Sequence, residues 1–408
     1  MKINFIFISS LALAWAASCL DAPVLEQDPQ RPTVDEDPTA RPLPGISSTL
    51  QLTFDKGDAA FEARFFPSQG LGPLYIRTAC ASCHAGDGKG PGFVTKMVVL
   101  DDDGVAVAAA LPFGGTQRPF FQTPATQPLS APVVDGSVLS TRMGPAVFGR
   151  GYVEAVAESE LQRVAEEQAA RGDGISGRIH RVTYNIKSNP DSTFNNHTEG
   201  QAGLVGRFGL KGRIASVDEF VADALQGDIG ITSPLRPTEL PNPDGALDDA
   251  KAGVDVDADF VNTVGTYIRL LEIPRRTFRD QEAGAELFAR VDCAVCHVPS
   301  LRTDPEYPLA PLADVDAPIF SDLLLHDMGE ALSDSFVEGD ASGAEWKTPP
   351  LIGIRFFDGW LHDNRASTVD EAIEFHASVG SEANAAVDLY HQLSEDERAL
   401  LVSYVESL

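Results

Sequence analysis

The sequence predicts a mainly α-helical protein made of two similar units in tandem. The motif Cys-x-x-Cys-His occurs twice, at residues 80–84 and 293–297. A second pattern, proline, any residue, two hydrophobic residues and glycine, also occurs in each half, at residues 145–149 and 349–353. Helical patterns flank both copies. Repetition of several separate patterns indicates two copies of one structural unit.

The five-residue motif predicts covalently attached haem. Two intervening residues put the thiols one helical turn apart, where each can form a thioether with a haem vinyl group. The histidine that follows is then positioned as an axial ligand of the iron. The predicted attachment and ligand residues are Cys80, Cys83 and His84 in the first copy and Cys293, Cys296 and His297 in the second. The expected cofactors are therefore two covalently attached haem c groups, and the expected chemistry is one-electron transfer.

Two other roles for these cysteines are weaker. One zinc ion could take four cysteines, but zinc ribbons space their pairs far more closely. Two local disulfides would fit an exported protein. Neither alternative explains a histidine directly after both pairs, so haem attachment is preferred.

Composition limits the partners. The chain has 408 residues and a net charge of -29, which argues against nucleic acid or an anionic membrane surface as a partner. Such a charge suits a basic redox protein as electron donor or acceptor. A solvated acidic surface of an exported protein is the preferred explanation of the charge.

The N-terminus predicts export. A short basic start precedes an apolar run at residues 5–17, which is shorter than the roughly 20 residues that span a bilayer. Residues 16–19, Ala-Ala-Ser-Cys, resemble a lipobox with Ala16 where Leu is preferred. We predict a lipoprotein-type signal peptide over residues 1–19, lipidation of Cys19, and a periplasmic or outer-membrane-anchored protein. Ordinary cleavage near Ala17 is the alternative.

The rest of the chain divides into three predicted segments. Residues 20–48 are rich in proline and acidic residues and predict a disordered tether. Residues 49–275 and 276–408 then form the N-terminal and C-terminal haem units. Helices are predicted at residues 58–66, 158–171, 216–225, 259–271, 282–291 and 394–408. Ser216 followed by Glu219 predicts a capping box at the third of these.

A small β-containing insertion is predicted in the first unit. Residues 94–110 alternate in polarity around the turn sequence Asp-Asp-Asp-Gly at 101–104, which predicts a hairpin. A strand is also predicted at residues 177–186. With one haem and an early and a late helix in each half, the fold expected is two tandem cytochrome c-like domains.

The repeat also shows where the halves differ. Arg213 and Arg365 each precede a predicted helix start, and His376 lies eleven residues after Arg365. The matching position in the first half is Ala224. We therefore predict that His376 is the sixth iron ligand of the second haem and that the first half lacks a ligand there. The alternative is a half-exposed helix histidine.

The chain resembles the bacterial di-haem oxidoreductase family, whose members are labelled thiol oxidoreductases or peroxidases. The resemblance covers residues from about 50 to 408 and depends on six short motifs. They are residues 72–74 (GPL), 206–209 (GRFG), 228–232 (DIGIT), 323–329 (LLLHDMG), 345–350 (EWKTPP) and 361–365 (LHDNR). The layout is more distantly similar to di-haem cytochrome c peroxidases and MauG-like proteins.

The resemblance implies a division of labour. In those relatives the N-terminal haem meets peroxide, and the C-terminal haem stores or relays electrons with a distal ligand at the position of His376. No histidine lies between His84 and Pro145, so the first haem is expected to be open. Met143 remains an alternative ligand. One departure is Leu210, which stands where the family has a tryptophan between the haems.

Catalytic residues are also implied by the resemblance. The peroxidases place an acidic residue shortly after the first Arg-led helix, near Asp228, where it acts as general base and acid; a cap or loop hydrogen bond is the alternative. Arg213 is expected to hold a haem propionate or the developing charge. His326 and His362 are expected to make hydrogen bonds around the second haem. If His376 is not the iron ligand, His326, His362 and Met328 are the alternative ligands.

Three functions compete at this point. The first is a di-haem enzyme that reduces hydrogen peroxide or uses it to oxidise a partner. The second is a non-enzymatic electron carrier with both irons six-coordinate. Thiol oxidation follows only from the family label, because the haem motifs use four of the five cysteines and Cys19 lies outside the core.

Overall fold

The computed structural model describes residues 41–87, 92–102, 107, 110–130, 134–245, 251–274, 276 and 281–408. The predicted signal peptide, Cys19 and residues 20–40 of the predicted tether lie outside the described residues. Residues 103–106, which include part of the predicted hairpin turn, also lie outside them.

The fold is mainly α-helical. Across the described residues there are eleven α-helices: α1 (Ser48–Glu62), α2 (Arg150–Ala155), α3 (Glu158–Arg171), α4 (Val217–Ala224), α5 (Ala258–Leu270), α6 (Gln281–Arg290), α7 (Cys293–Cys296), α8 (Gly329–Leu332), α9 (Val369–Glu374), α10 (Asn384–His391) and α11 (Glu395–Glu406).

Small antiparallel sheets join the helices. The strands are β1 (Leu74–Tyr75), β2 (Phe93–Val99), β3 (Phe120–Phe121), β4 (Ser137–Met143), β5 (Arg181–Val182), β6 (Leu204–Val205), β7 (Leu301–Arg302), β8 (Asp316–Ala317), β9 (Leu325–Asp327) and β10 (Glu345–Lys347). They pair as β1–β3, β2–β4, β5–β6, β7–β8 and β9–β10.

The predicted hairpin at residues 94–110 is confirmed only in its first strand. Beyond the turn, the Val107 N–H donates to the Val99 carbonyl at 2.7 Å, and residues 103–106 and 108–109 lie outside the described part of the chain. Strand β2 pairs with β4, in a register that runs from Phe93 opposite Met143 to Val99 opposite Ser137. The alternation of side chains correctly marks β2 as a strand, but alternation contains no information about a distant partner. The predicted strand at residues 177–186 is also much shorter, because only Arg181–Val182 pair with β6.

Several helix boundaries follow from local sequence. Helix α3 covers the predicted residues 158–171 and ends at Gly172, whose φ of 67° suits glycine. Ser216 caps α4 by accepting from the Glu219 N–H. The predicted capping box is incomplete, because the Glu219 side chain accepts from the Ala215 N–H instead. Helix α1 starts well before residue 58, since Ser47 caps it through the Leu50 N–H.

Two helix pairs have the same close contact. Helices α1 and α5 pack so tightly that a Cβ at Gly57 would lie 2.4 Å from the Cβ of Tyr267. Helices α6 and α11 pack in the same way, and a Cβ at Gly284 would lie 2.5 Å from the Cβ of Tyr404. Only glycine permits this approach of the two backbones. The early and late helices of each half therefore pack through the same kind of glycine–tyrosine contact.

The repeated Pro-x-hydrophobic-hydrophobic-Gly stretches contact each other reciprocally. A Cβ at Gly149 would lie 2.6 Å from Cδ1 of Ile352, and a Cβ at Gly353 would lie 2.5 Å from Cζ of Phe148. Gly149 and Gly353 close the two stretches at equivalent positions. The halves of the chain are thus joined by a contact that is approximately two-fold symmetric.

The hydrophobic core follows this join. The larger cluster of buried residues runs from Leu43 to Ile352 and so includes side chains from both predicted units. A second cluster, from Leu287 to Leu408, is built around α6 and α11. Within the described residues, no helix combines the length and the apolar character needed to cross a bilayer.

Candidate functional site: a cavity that joins both haem motifs

One apolar cavity of about 390 Å³ is lined by both Cys-x-x-Cys-His motifs. Its walls come from α4, α5, α6, α9 and α10 and from the two reciprocal proline–glycine stretches. Hydrophobic side chains form most of this lining, which suits a large, mostly apolar porphyrin. The two motifs therefore border one connected space.

Each motif forms the helical turn that thioether attachment needs. In the first, the His84 N–H donates to the Cys80 carbonyl at 3.1 Å. In the second, the His297 N–H donates to the Cys293 carbonyl at 2.9 Å. The cysteines are consequently one turn apart, and each histidine follows directly at the end of that turn.

The four motif thiols are poorly suited to thiol–disulfide exchange or zinc binding. All four are free of disulfides. Burial raises the pKa of Cys80 and Cys293 to about 12 and that of Cys83 to about 11. A redox-active or zinc-binding cysteine needs the thiolate, which these environments disfavour. Within the described residues, the one candidate metal cluster takes a single motif cysteine, Cys296, with Asp322 and His326. No cluster of the four cysteines forms there.

Equivalent aromatic residues surround the two motif histidines. The Phe61 ring lies 6.2 Å from that of His84 and 5.5 Å from that of Tyr267. The Phe288 ring lies 6.5 Å from that of His297 and 5.7 Å from that of Tyr404. These phenylalanines were not among the residues predicted from the sequence. The signal was present in the repeated spacing Gly-x-x-x-Phe at residues 57–61 and 284–288.

His297 is held in one tautomer. Its Nδ1 lies 3.1 Å from the Phe320 carbonyl oxygen and donates to it. This leaves Nε2 as the coordinating nitrogen, a common arrangement for metal-bound histidine. Burial, with a smaller contribution from His376, lowers the pKa of His297 to about 4. The imidazole is therefore neutral, as an iron ligand must be.

The segment around Gly144 lies against the His84 ring. A Cβ at Gly144 would lie 3.1 Å from Cε1 of His84. Met143, the preceding residue, is buried and lines the cavity. Because this segment runs beside the attachment-side histidine, the geometry favours packing over iron ligation for Met143.

His376 shares the cavity with His297. Its Nδ1 donates to the Ala372 carbonyl at 2.6 Å, so Nε2 is the nitrogen available for a metal. Burial lowers the pKa of His376 and keeps the ring neutral. These features fit the predicted role as sixth ligand of the second haem.

The first half is built differently at the matching place. Ala224 lines the cavity and ends α4, and the chain continues as a π-helical turn, Leu225–Ile229. Such turns often occur at functional sites. This one presents Asp228 to the cavity. The Asp228 carbonyl accepts from the N–H groups of Ile76 and Arg77, which fixes the turn to the segment leading into the first motif.

The Asp228 carboxyl has an unusual protonation equilibrium. Burial and the neighbouring Asp223 raise its pKa to about 6, against the lowering effects of Lys96 and Arg213. Lys96 comes from β2, and its Nζ is held 2.8 Å from the Thr116 hydroxyl. A carboxyl with this pKa can both accept and release a proton near neutral pH.

Arg213 does not line the cavity wall. Its guanidinium pairs with Asp223, which also accepts from Arg236 at 2.9 Å. Arg213 therefore lowers the pKa of Asp228 through its positive charge. The predicted contact of Arg213 with a haem propionate or a reacting group stays a prediction.

Both ring nitrogens of His326 contact carboxylates. Its Nε2 lies 2.8 Å from Asp322 and its Nδ1 lies 2.7 Å from Glu382. Although burial disfavours the charged ring, the two acids raise the pKa of His326 well above its usual value. A protonated imidazole cannot bind iron, so His326 serves as a hydrogen-bonding group beside Cys296, as expected.

An aromatic residue, Trp346, lies close to Leu210. The rings of Trp346 and His362 stack with centroids 4.1 Å apart, and both residues line the cavity. Lys347, the next residue, donates its N–H to the Leu210 carbonyl at 3.1 Å. The other face of Trp346 carries the Lys211 ammonium, 3.8 Å from the ring centroid. The second half thus supplies a tryptophan beside the position where the first half has Leu210.

Comparison with known proteins agrees with this geometry. A family model described as "Di-haem oxidoreductase, putative peroxidase" matches residues 117–408. The chain belongs to the di-haem oxidoreductase family. As a member it is an oxidoreductase of the peroxidase type, and the family implies haem as its cofactor. No curated protein sequence matches the chain.

Solved structures are similar only at a distance. A variant of the diheme peroxidase BthA from Burkholderia thailandensis is 15% identical, with 92% of this chain and 89% of that chain covered and a TM-score of 0.40. Hydrazine synthase from Kuenenia stuttgartiensis is 14% identical over 100% of both chains, with a TM-score of 0.35. A MauG-like protein associated with microbial copper homeostasis is 15% identical, covers 62% of this chain and 89% of its own, and has a TM-score of 0.33.

Proposed function

We propose that this member of the family is an exported di-haem c-type cytochrome that reduces peroxide at its N-terminal haem. Its C-terminal haem, with two histidine ligands, relays the electrons. The observation that carries the proposal is the contrast between Ala224 with Asp228 in one half and His376 in the other. One half offers an acid–base group where the other offers an iron ligand.

The proposed architecture is two tandem cytochrome c-like units, the first with a β-containing insertion. Cys80 and Cys83 would hold the first haem by thioether bonds, with His84 on the iron. Cys293, Cys296 and His297 would do the same for the second. The matching Gly–Tyr helix contacts and Phe–His contacts in the two halves support this assignment. When bound, the haems supply the iron redox chemistry.

Asp228 is proposed to handle the protons. Cleaving the O–O bond of hydrogen peroxide requires a proton to move from one oxygen to the other. The Asp228 carboxylate accepts it as a general base and returns it as a general acid, a role for which a pKa of about 6 is well suited. Burial raises the pKa of Asp228, and Lys96 and Arg213 oppose that rise by favouring the ionised form.

A basic small redox protein is the proposed electron donor. The net charge of -29 would attract such a partner. We propose a periplasmic or outer-membrane location, with a lipid anchor at Cys19. Changing Cys19→Ser should release the protein from isolated membranes, and a wild-type protein found only in the soluble periplasmic fraction would contradict the anchor.

Peroxide turnover with an artificial electron donor tests the function. The purified protein should retain two haems by mass after denaturation and should consume peroxide when half-reduced. Retention of fewer than two haems would refute the attachment, whereas two haems without turnover would refute the enzyme assignment. The second outcome would leave a non-enzymatic di-haem electron carrier, for which buried Met143 in the cavity wall is the residue to examine first.

A further inference from the structure

Two cations, the half-buried Arg150 and the buried Lys347, line the cavity where the halves of the chain meet. Arg150 directly follows Gly149, which contacts Ile352 across the join. Lys347 is 6% exposed, and its N–H donates to the Leu210 carbonyl at 3.1 Å. Both side chains thus extend from backbone that is fixed by contacts between the two halves.

Among the residues that the structure describes, no acidic side chain pairs with either cation. The Arg150 Nε donates to the Ala146 carbonyl at 2.6 Å. Asp322, the acid whose charge acts on Lys347, is already engaged by His326 and Gln168, at 2.8 Å each.

The environment of both groups disfavours positive charge. Burial, with the nearby Arg150, lowers the pKa of Lys347 to about 7. Burial lowers the pKa of Arg150 to about 10. Buried charges in proteins are normally paired, because an unpaired one is costly. Two neighbouring cations in one cavity, with no described carboxylate paired to either, indicate a site for an anion.

These cations are not part of the repeat. By alignment of the two proline–glycine stretches, Lys347 corresponds to Met143 and Arg150 corresponds to Ile354. Both of these equivalents also line the cavity, and both are apolar. Packing around a porphyrin therefore does not by itself require a cation at either position.

We propose that Arg150 and Lys347 together form the binding site for haem propionate carboxylates at the join between the two halves. Haem propionates are anions that a cavity enclosing both motifs must accommodate, and guanidinium and ammonium groups are the usual partners of carboxylates. The inference requires the two haems of the proposed function but does not depend on peroxide reactivity. Arg150 and Lys347 would then lie at the boundary between the two haem sites.

The pair should also raise the reduction potential of the haem whose propionate it binds. Positive charge near a haem favours the reduced, less positive iron, and neutralising a propionate removes an opposing charge. Removing either cation should therefore favour the oxidised haem.

Midpoint potentials and propionate vibrations test the site. Single variants Lys347→Gln and Arg150→Gln would be titrated by spectroelectrochemistry, and the propionate bending bands would be read by resonance Raman. Lys347→Arg keeps the charge. Lys187→Gln removes an exposed lysine whose partner is Glu199, 2.8 Å away, and serves as the surface control.

We expect each Gln variant to shift the oxidised-to-reduced ratio of one haem about tenfold toward the oxidised form at a fixed potential, or about 59 mV for a one-electron couple. Lys347→Arg should nearly keep the potentials yet shift the propionate bands, because a guanidinium bonds carboxylates differently. Lys187→Gln should change neither. Unchanged potentials in the Gln variants, or unchanged propionate bands in Lys347→Arg, would overturn the proposal. The Arg variant decides the matter even if the Gln variants lose haem.

Discussion

Ala224 and His376 occupy equivalent positions in the two halves, and both line the haem cavity. Each lies eight residues after the residue that caps its helix: Ser216, whose hydroxyl accepts from the Glu219 N–H at 3.3 Å, and Thr368, whose hydroxyl accepts from the Glu371 N–H at 3.1 Å. One half thus has an imidazole at a repeated position where the other half has only a methyl group.

Changing His376→Ala should convert one low-spin iron into a high-spin or water-bound form while both haems stay attached. The reason is that His376 presents Nε2 to the cavity beside His297. Visible and EPR spectra would measure the change. His391→Ala is the matched control, since His391 is an exposed helix histidine paired with Glu374 at 2.8 Å. An unchanged spectrum in His376→Ala would instead direct attention to His362 or Met328.

Changing Asp228→Asn should reduce peroxide turnover by about 10²–10⁴-fold, the usual contribution of a general acid–base group. The amide keeps the size of the side chain, so both haem spectra should stay as in the wild type. Turnover with an artificial electron donor is the measurement, and Asp191→Asn, in an exposed loop, is the control. Full activity in Asp228→Asn would remove this residue from the mechanism.

The pH dependence of kcat/KM for peroxide should reflect Asp228. Its pKa is raised to about 6 from 3.8, so the required base is protonated below that value. The rate should rise about tenfold per pH unit up to about pH 6 and then level off. The same shift affects folding in the opposite direction. The stability that the protonated carboxyl provides is complete below pH 3.8 and is lost as the pH rises through about 6. A flat kcat/KM between pH 5 and 7 would contradict the assignment.

Changing Gly284→Ala should lower the free energy of unfolding by about 1–3 kcal/mol, because overpacking forces helices apart. The added Cβ would lie 2.5 Å from that of Tyr404, and the close packing of α6 on α11 would open. Chemical denaturation would measure the loss. Gly227→Ala is the control, since beyond its chain neighbours and its own helical turn no described atom lies within 4 Å of its added Cβ. Equal stability in the two variants would show that the contact is not tight.

Local sequence patterns predicted the parts of the site that are local in the chain. The Cys-x-x-Cys-His motifs form their own helical turns, and α3 begins and ends as its pattern indicates. The repeat also directed attention to His376 and Ala224, since equal spacing from a cap places equivalent residues on one helix face.

Contacts between distant segments were not predictable in this way. The pairing of β2 with β4 and the stacking of Trp346 on His362 depend on how the halves pack. Arg213 illustrates the limit. Its place before a helix is evident from the sequence, but its ion pair with Asp223 depends on the fold of α4. Arg150 and Lys347 are almost 200 residues apart in sequence, and the fold brings them to the wall of the same cavity.

The most direct test of the account is the EPR spectrum of the purified, fully oxidised protein before and after cyanide is added. The central claim is that one iron is open, opposite His84, and that the other is closed by His297 and His376. We predict one high-spin or water-bound signal that cyanide converts to low spin, together with one low-spin signal that cyanide leaves unchanged. Two low-spin signals, both unaffected by cyanide, would contradict the account.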